Sequence, residues 1–160
     1  MAGESNTARI AAAIALAFVL NCMAAAQDQN KNMVPMRHSP KGGALLIEVQ
    51  VDGSPRVFIL DTGAQNCIVD VRAVGLTLAD LNSAVVKQSL PGSKTAAAVI
   101  SVSLRVGSKE FSEWKVVAMD LRSMDKDFGT RVDGILVLDL LVKFKRLTLD
   151  FQHMRLELES

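Results

Sequence analysis

The sequence predicts an all-β fold from Gly42 onward, and three observations carry that expectation. Short apolar runs are separated by turn residues. Several runs alternate apolar with polar side chains, the period of a half-buried strand. An Asp-Gly pair stands between two of them, where a tight hairpin needs residues that accept positive φ.

Taken in order, residues 44–51 (ALLIEVQV) and 56–60 (RVFIL) flank Asp52-Gly53 as the arms of that hairpin. Val49 and Val51 alternate with Glu48 and Gln50, so one face is wet and the other buried. A third strand is expected over 66–70, while 76–86 fits either a short helix or a strand. Residues 97–106 (AAVISVSLRV) alternate clearly, and Gly107-Ser108 turns them into 110–119 (EFSEWKVVAM). Trp114 falls in that strand pattern and is expected in the core or at an interface. Residues 120–132 form a charged connector, 134–138 (GILVL) a fully apolar strand and 139–144 a short helical turn. A closing hairpin over 145–150 and 154–158 completes the chain.

The N-terminal region reads differently. Residues 10–20 (IAAAIALAFVL) carry no charge, follow Arg9 and precede Ala24-Ala25-Ala26, the layout of a secretory signal with cleavage after Ala26. The run is shorter than the roughly 20 apolar residues that span a bilayer. The expected division is therefore a signal peptide over 1–26, a flexible polar leader over 27–41 and one folded domain over 42–160, placed in a periplasm or outside the cell with no stable membrane span after signal removal. After cleavage Cys67 is the one cysteine left, so no internal disulfide is expected and the thiol reads as a small buried side chain.

Charge and motif content narrow the function. A net charge of +1 without a clustered basic face argues against nucleic acid as a partner. His38 and His153 lack a Ser or Cys partner context for a triad. Asp120, Asp125, Asp127 and Asp133 share one connector but lack the interleaved ligands and terminal Glu of a calcium loop, so they read as solvated; no metal and no cofactor are expected.

The chemistry-bearing candidate is Asp61-Thr62-Gly63-Ala64, directly after the apolar run Val57-Phe58-Ile59-Leu60. A carboxyl at the end of a buried strand is set against surroundings that disfavour its charge. The Thr62 hydroxyl can bond nearby backbone, and Gly63 permits a sharp turn and close approach of a second chain. Two such carboxyls face to face cannot both ionise. They share a proton, and a water between them is activated by the ionised one while the protonated one polarises a carbonyl.

The stretch FILDTGAQNCIVD (58–70) resembles the catalytic strand of retropepsin-like aspartic proteases, including bacterial secreted members. Some 70 residues later, VDGILVLDLLVKFKRLTLDFQHMRLEL (132–158) is similar to the family's D-G-I-L-G-x-D-F-L segment and the hairpin after it. The resemblance implies a closed, barrel-like β fold with one short helix near the C-terminal part, a flap hairpin over the cleft and hydrolysis of peptide bonds in a peptide or protein substrate. It gives Asp61 the catalytic role, has Thr62, Gly63 and Ala64 shape the loop, and packs Ile135 and Leu136 behind it.

None of the other ten Asp residues begins a D-T-G or D-S-G, so one chain supplies one carboxyl and the expected active unit is a homodimer, with the C-terminal hairpin over 145–158 as part of its interface. Val137 stands where the family carries glycine, and the flap region 88–99 holds Gly92 without a glycine-rich tip. These departures carry the alternative, a module of the same fold that dimerises or binds extended peptides without cleaving them.

Overall fold

The computed structural model describes residues 32–83 and 96–159. The expected signal segment and most of the flap region lie outside the described residues. Nine strands form the body: β1 Met33–His38, β2 Leu45–Val51, β3 Ser54–Leu60, β4 Ile68–Asp70, β5 Ala97–Val106, β6 Lys109–Met119, β7 Gly134–Leu136, β8 Arg146–Asp150 and β9 Arg155–Glu159. Three short helices join them: α1 Leu78–Ser83, α2 Arg122–Phe128 and α3 Leu138–Leu141, with a 3₁₀ turn at Val71–Ala73.

Six strands close on themselves. β2 pairs with β3, β3 with β7, β7 with β4, β4 with β6, β6 with β5, and β5 returns to β2. The ring is the closed barrel expected from the resemblance. Its interior is filled by inward-facing side chains of neighbouring strands, among them Val49, Phe58, Leu104, Val116 and Leu136, all essentially without solvent exposure. Alternation in β2 is as expected: Val49 and Val51 are buried, Glu48 is exposed and Gln50 half-buried.

Local chemistry explains the turns. Asp52 and Gly53 both adopt positive φ (49° and 77°), the conformation that closes a two-residue hairpin in step with strand twist. Asp52 also ties the hairpin to β5, its amide donating to the Ser103 carbonyl at 2.9 Å and its Oδ1 accepting from the Ser103 amide at 2.8 Å. The β5–β6 turn uses Gly107 at φ 60°. Within β6, the pairing slips between Val102 and Leu104, where Ser112 and Glu113 together stand opposite Ser103, with Glu113 at φ 53°. That bulge interrupts the alternation and turns Trp114 edge-on to Phe111, with centroids 5.5 Å apart.

Two expectations are corrected. Residues 33–38, read as flexible leader, form β1. Its first half pairs with β9 and its second half with β2, and Val34 and Met36 are buried in the core. Pro35 and the polar neighbours hid this, and β9, one of the two pairing partners, lies at the far end of the sequence. The short helix expected near the C-terminal part is α3, and 76–86, read as helix or strand, carries the helix α1; α2, in the connector, is the one not expected. α2 lies in the charged connector and ends on Gly129 in the left-handed region, φ 68°.

The connector's acids are also not simply solvated. Asp125 receives Arg72 Nη1 at 2.7 Å, and Asp133 is buried, accepting from the Val57 amide at 3.1 Å and Arg131 Nε at 2.6 Å. Asp120 chelates the Arg122 guanidinium. At the centre, the fully buried Asp70 takes the Arg72 amide and side chain on one side and the Leu121 amide, at 2.7 Å, on the other. A buried carboxylate with this many donors locks β4 to the start of α2.

Candidate active site

Strand order decides where the Asp61 loop lies. β7 is inserted between β3 and β4, parallel to β3 and antiparallel to β4. The chain leaving β3 at Leu60 must therefore pass over the C-terminal end of β7 before it enters β4 at Ile68. Residues 61–67 make that crossing. The two sequence motifs, some 70 residues apart, meet here because neighbouring strands carry them.

The crossing is held at both ends by one four-residue stretch. At its entry the Asp61 amide donates to the Leu136 carbonyl at 3.0 Å. At its exit Cys67 donates twice to Asp139, its amide to Oδ2 at 3.1 Å and its thiol to Oδ1 at 2.9 Å. Asp139 also receives the Leu140 amide at 2.7 Å, so the same carboxylate fixes the first turn of α3. Leu136 and Asp139 bracket the loop from beneath.

Within the loop, the Gly63 amide donates to Asp61 Oδ1 at 2.7 Å, which orients the carboxyl. Among the described residues no donor reaches Oδ2. Asp61 and Ala64 are half-buried and Thr62 and Gly63 exposed, so the loop presents a wall to the outside of a single chain. Ile135 and Leu136 lie behind it, buried, paired with Ile59 and Leu60. The site residues picked from sequence are thus brought together, with one carboxyl at their centre.

Gly134 makes the crossing feasible. A Cβ there would sit 2.4 Å from the Phe58 ring and 2.7 Å from the Ile68 carbonyl, so only glycine lets β7 slide between β3 and β4. Val137 has an extended backbone, φ −128° and ψ −178°, and is fully buried. No glycine-only conformation is needed at this position.

Sequence reasoning missed Asp139 and Cys67 as a pair. Burial pushes the Cys67 thiol up to about 12, with the hydrogen bond to Asp139 adding to the effect. The thiol is an inert donor rather than a nucleophile. No group of three or more His, Cys, Asp or Glu among the described residues could hold a metal ion, and no described helix is long and apolar enough to cross a membrane.

The aspartyl protease family matches residues 47–140, more than half of the chain and the whole of the crossing. The chain belongs to this family, in its retropepsin-like form. The family member's fold is similar to that of a retropepsin-like aspartic protease from Rickettsia conorii, with a TM-score of 0.53 and 21% identity over 79% of this chain and 87% of that one. A retroviral protease-like domain of Ddi1 from Leishmania major is matched at TM-score 0.48 and 14% identity, over 75% of this chain and 97% of that one. EIAV protease in an inhibitor complex is matched at TM-score 0.44 and 14% identity, over 62% and 86%. No curated protein matches the family member's sequence at a significant level.

Proposed function

We propose that two copies of this chain form an aspartic endopeptidase that cleaves exported peptides or proteins. The observation that carries the reading is Asp61: a carboxyl oriented by its own loop, half-exposed in one chain, and the only D-T-G aspartate in the sequence. In the two-copy unit the Asp61 carboxyls face each other and share one proton, because two adjacent carboxylates cannot both ionise. The ionised carboxyl takes a proton from a water held between them. That water attacks the scissile carbonyl carbon while the protonated carboxyl donates to the carbonyl oxygen; the C–N bond of the resulting gem-diol then breaks as one carboxyl protonates the nitrogen and the other takes a hydroxyl proton, which restores the singly protonated pair. Gly63 and the Leu136 carbonyl supply the rigidity, so little reorganisation is left for the chemical step. The uncharged run at 10–20 followed by Ala24-Ala25-Ala26 supports an exported protein, secreted or periplasmic.

The test compares wild type with Asp61→Asn on a diverse peptide mixture from mildly acidic to neutral pH, with products read by mass spectrometry. Cleavage by wild type alone, strongest in mild acid, is the expected result. Equal silence from both proteins with peptide binding retained would replace the enzyme by the non-cleaving module. Activity that climbs steadily above neutrality would contradict the shared proton.

A further inference from the structure

Away from the Asp61 loop, a cavity of about 300 Å³ lies where β1 parts from β2. Going back along β1, Met36 is the last residue paired with β2, opposite Ile47, and Pro35 already pairs with Arg155 of β9. Proline has no N–H with which to continue the ladder, and β1 peels away at that residue. On this edge β2 meets its next partner, β5, only at Gln50. Among the described residues Glu48 and Val49 thus have no strand beside them on that side, and the cavity fills the crook.

Its lining comes from one face of three strands. By the two-residue period, Pro35 and Arg37 of β1, Leu46 and Glu48 of β2, and Val57 of β3, which pairs with Glu48, all point the same way. Pro35, Leu46 and Val57 supply apolar walls, while Arg37 and Glu48 are exposed charges. These two stand diagonally across the β1–β2 pair, about 7–8 Å apart at their Cα atoms. Among the described residues, no ion pair or side-chain hydrogen bond engages either of them. Arg37 differs in this from every other described arginine, each of which holds a carboxylate or, for Arg56, a backbone carbonyl.

The cavity is near the Asp61 loop without being part of it. Val57, Ile59 and Asp61 succeed one another on one face, so Val57 lies about 13 Å from the loop at roughly 3.3 Å per residue. Leu46 and Ile59, paired with each other and buried, stand between the two places. β1 also precedes the residues matched by the family, 47–140.

We infer that this cavity is a second foothold for an extended peptide, which sets one large apolar side chain between Arg37 and Glu48. In an extended chain the N–H and C=O of a residue point to the same side. The Arg37 guanidinium donates to that carbonyl and the Glu48 carboxylate accepts from that N–H, which gives both free charges a partner. The volume, at the small end for a ligand cavity, suits one such side chain with its peptide units. An extended peptide covers about 13 Å in four residues, so a substrate held at Asp61 reaches the cavity with a residue four or more from the scissile bond. The foothold takes its peptide from the peptidase reading, but its test records binding alone, on protein that cannot cleave.

The experiment is an amide chemical-shift titration of isotope-labelled Asp61→Asn protein with the blocked pentapeptide Ser-Ala-Leu-Ala-Ser, and with the same peptide carrying aspartate in place of leucine. Two groups of amides should shift with the leucine peptide, one over 61–64 and one at Arg37, Glu48 and Val57. The second group should stay still with the aspartate peptide. Replacing Arg37 and Glu48 together by alanine, at two exposed positions, should raise the dissociation constant read at the Val57 amide at least about tenfold and leave that read over 61–64 within about twofold. Shifts over 61–64 alone would overturn the foothold and leave the peptidase reading standing. Cavity shifts that are equal for the two peptides, or untouched by the double variant, would overturn it as well. Shifts at the cavity alone would uphold the foothold and count against Asp61 as the place where peptide is held. No shift at either place would overturn both.

Discussion

Cys67 gives both of its hydrogens to Asp139, the amide to Oδ2 and the thiol to Oδ1, and so fastens the end of the Asp61 loop to the first turn of α3. Asp139→Ala leaves a buried amide and a buried thiol without an acceptor and should cost about 1–3 kcal/mol of stability. Because the loop ends there, peptide cleavage should lose rate constant more than apparent substrate affinity. Asp139→Asn retains one carbonyl oxygen for the amide, and its NH₂ can donate to the sulfur, so most of both quantities should return. Urea denaturation and steady-state kinetics on the three proteins check this.

The thiol has its own pH signature. Its ordinary value lies near 9, and in the fold it is pushed up to about 12, mainly by burial and then by Asp139. A proton held more tightly in the fold stabilises fully below about pH 9, and that contribution is lost as pH rises toward about 12. The urea midpoint of wild type should therefore fall over that window relative to Cys67→Ala, while iodoacetamide should leave the native thiol unmodified near pH 8.

In acid the ion network around Arg72 sets the limit. Hydrogen bonds from the Arg122 side chain hold Asp120 down at about 2, and those from Arg72 hold Asp125 below its ordinary range. Carboxyls depressed in the fold stabilise it above their denatured value, near 3.8, and that contribution drains away as pH falls toward about 2. The window lies below mild acid, where cleavage is expected. Arg72→Ala strands Asp70, which has no solvent exposure, and should cost about 3 kcal/mol at neutral pH, the low end for a broken buried pair because the guanidinium keeps some water. Chemical denaturation at neutral pH and a stability profile from pH 6 to about 2 read both effects.

Val137 invites the opposite experiment, restoring the glycine that the family carries. Its extended backbone needs no glycine, and its side chain is fully buried beneath the loop. Val137→Gly should destabilise by about 2–4 kcal/mol, from lost apolar burial and added chain freedom in the denatured state, and should not raise activity. A more active and equally stable variant would show that the branched side chain crowds the loop.

Local signals carried most of the barrel. Asp52-Gly53 and Gly107 announce their turns because positive φ narrows the choice of residue, and the alternation of apolar and polar residues over 100–106 marks most of β5. Asp61 was legible because its motif is contiguous. What stayed hidden depends on partners distant in sequence. β1 has a proline and a polar face, and its strand character comes from β2 and from β9 at the far end of the chain. Asp70 and Asp139 resemble ordinary surface acids until folding brings the Leu121 amide to the first and Cys67 to the second. The β6 bulge shows in the sequence as two successive polar residues, Ser112 and Glu113, between Phe111 and Trp114.

β1 is a tether with two grips. Residues Met33 to Pro35 hold β9, and Met36 to His38 hold β2, so this short segment splices the barrel to the strands that end the chain. A proteolytic trim that stopped at Asn32 would leave both grips intact. One that cut a few residues further would remove the strand through which β9 is hydrogen-bonded to the barrel.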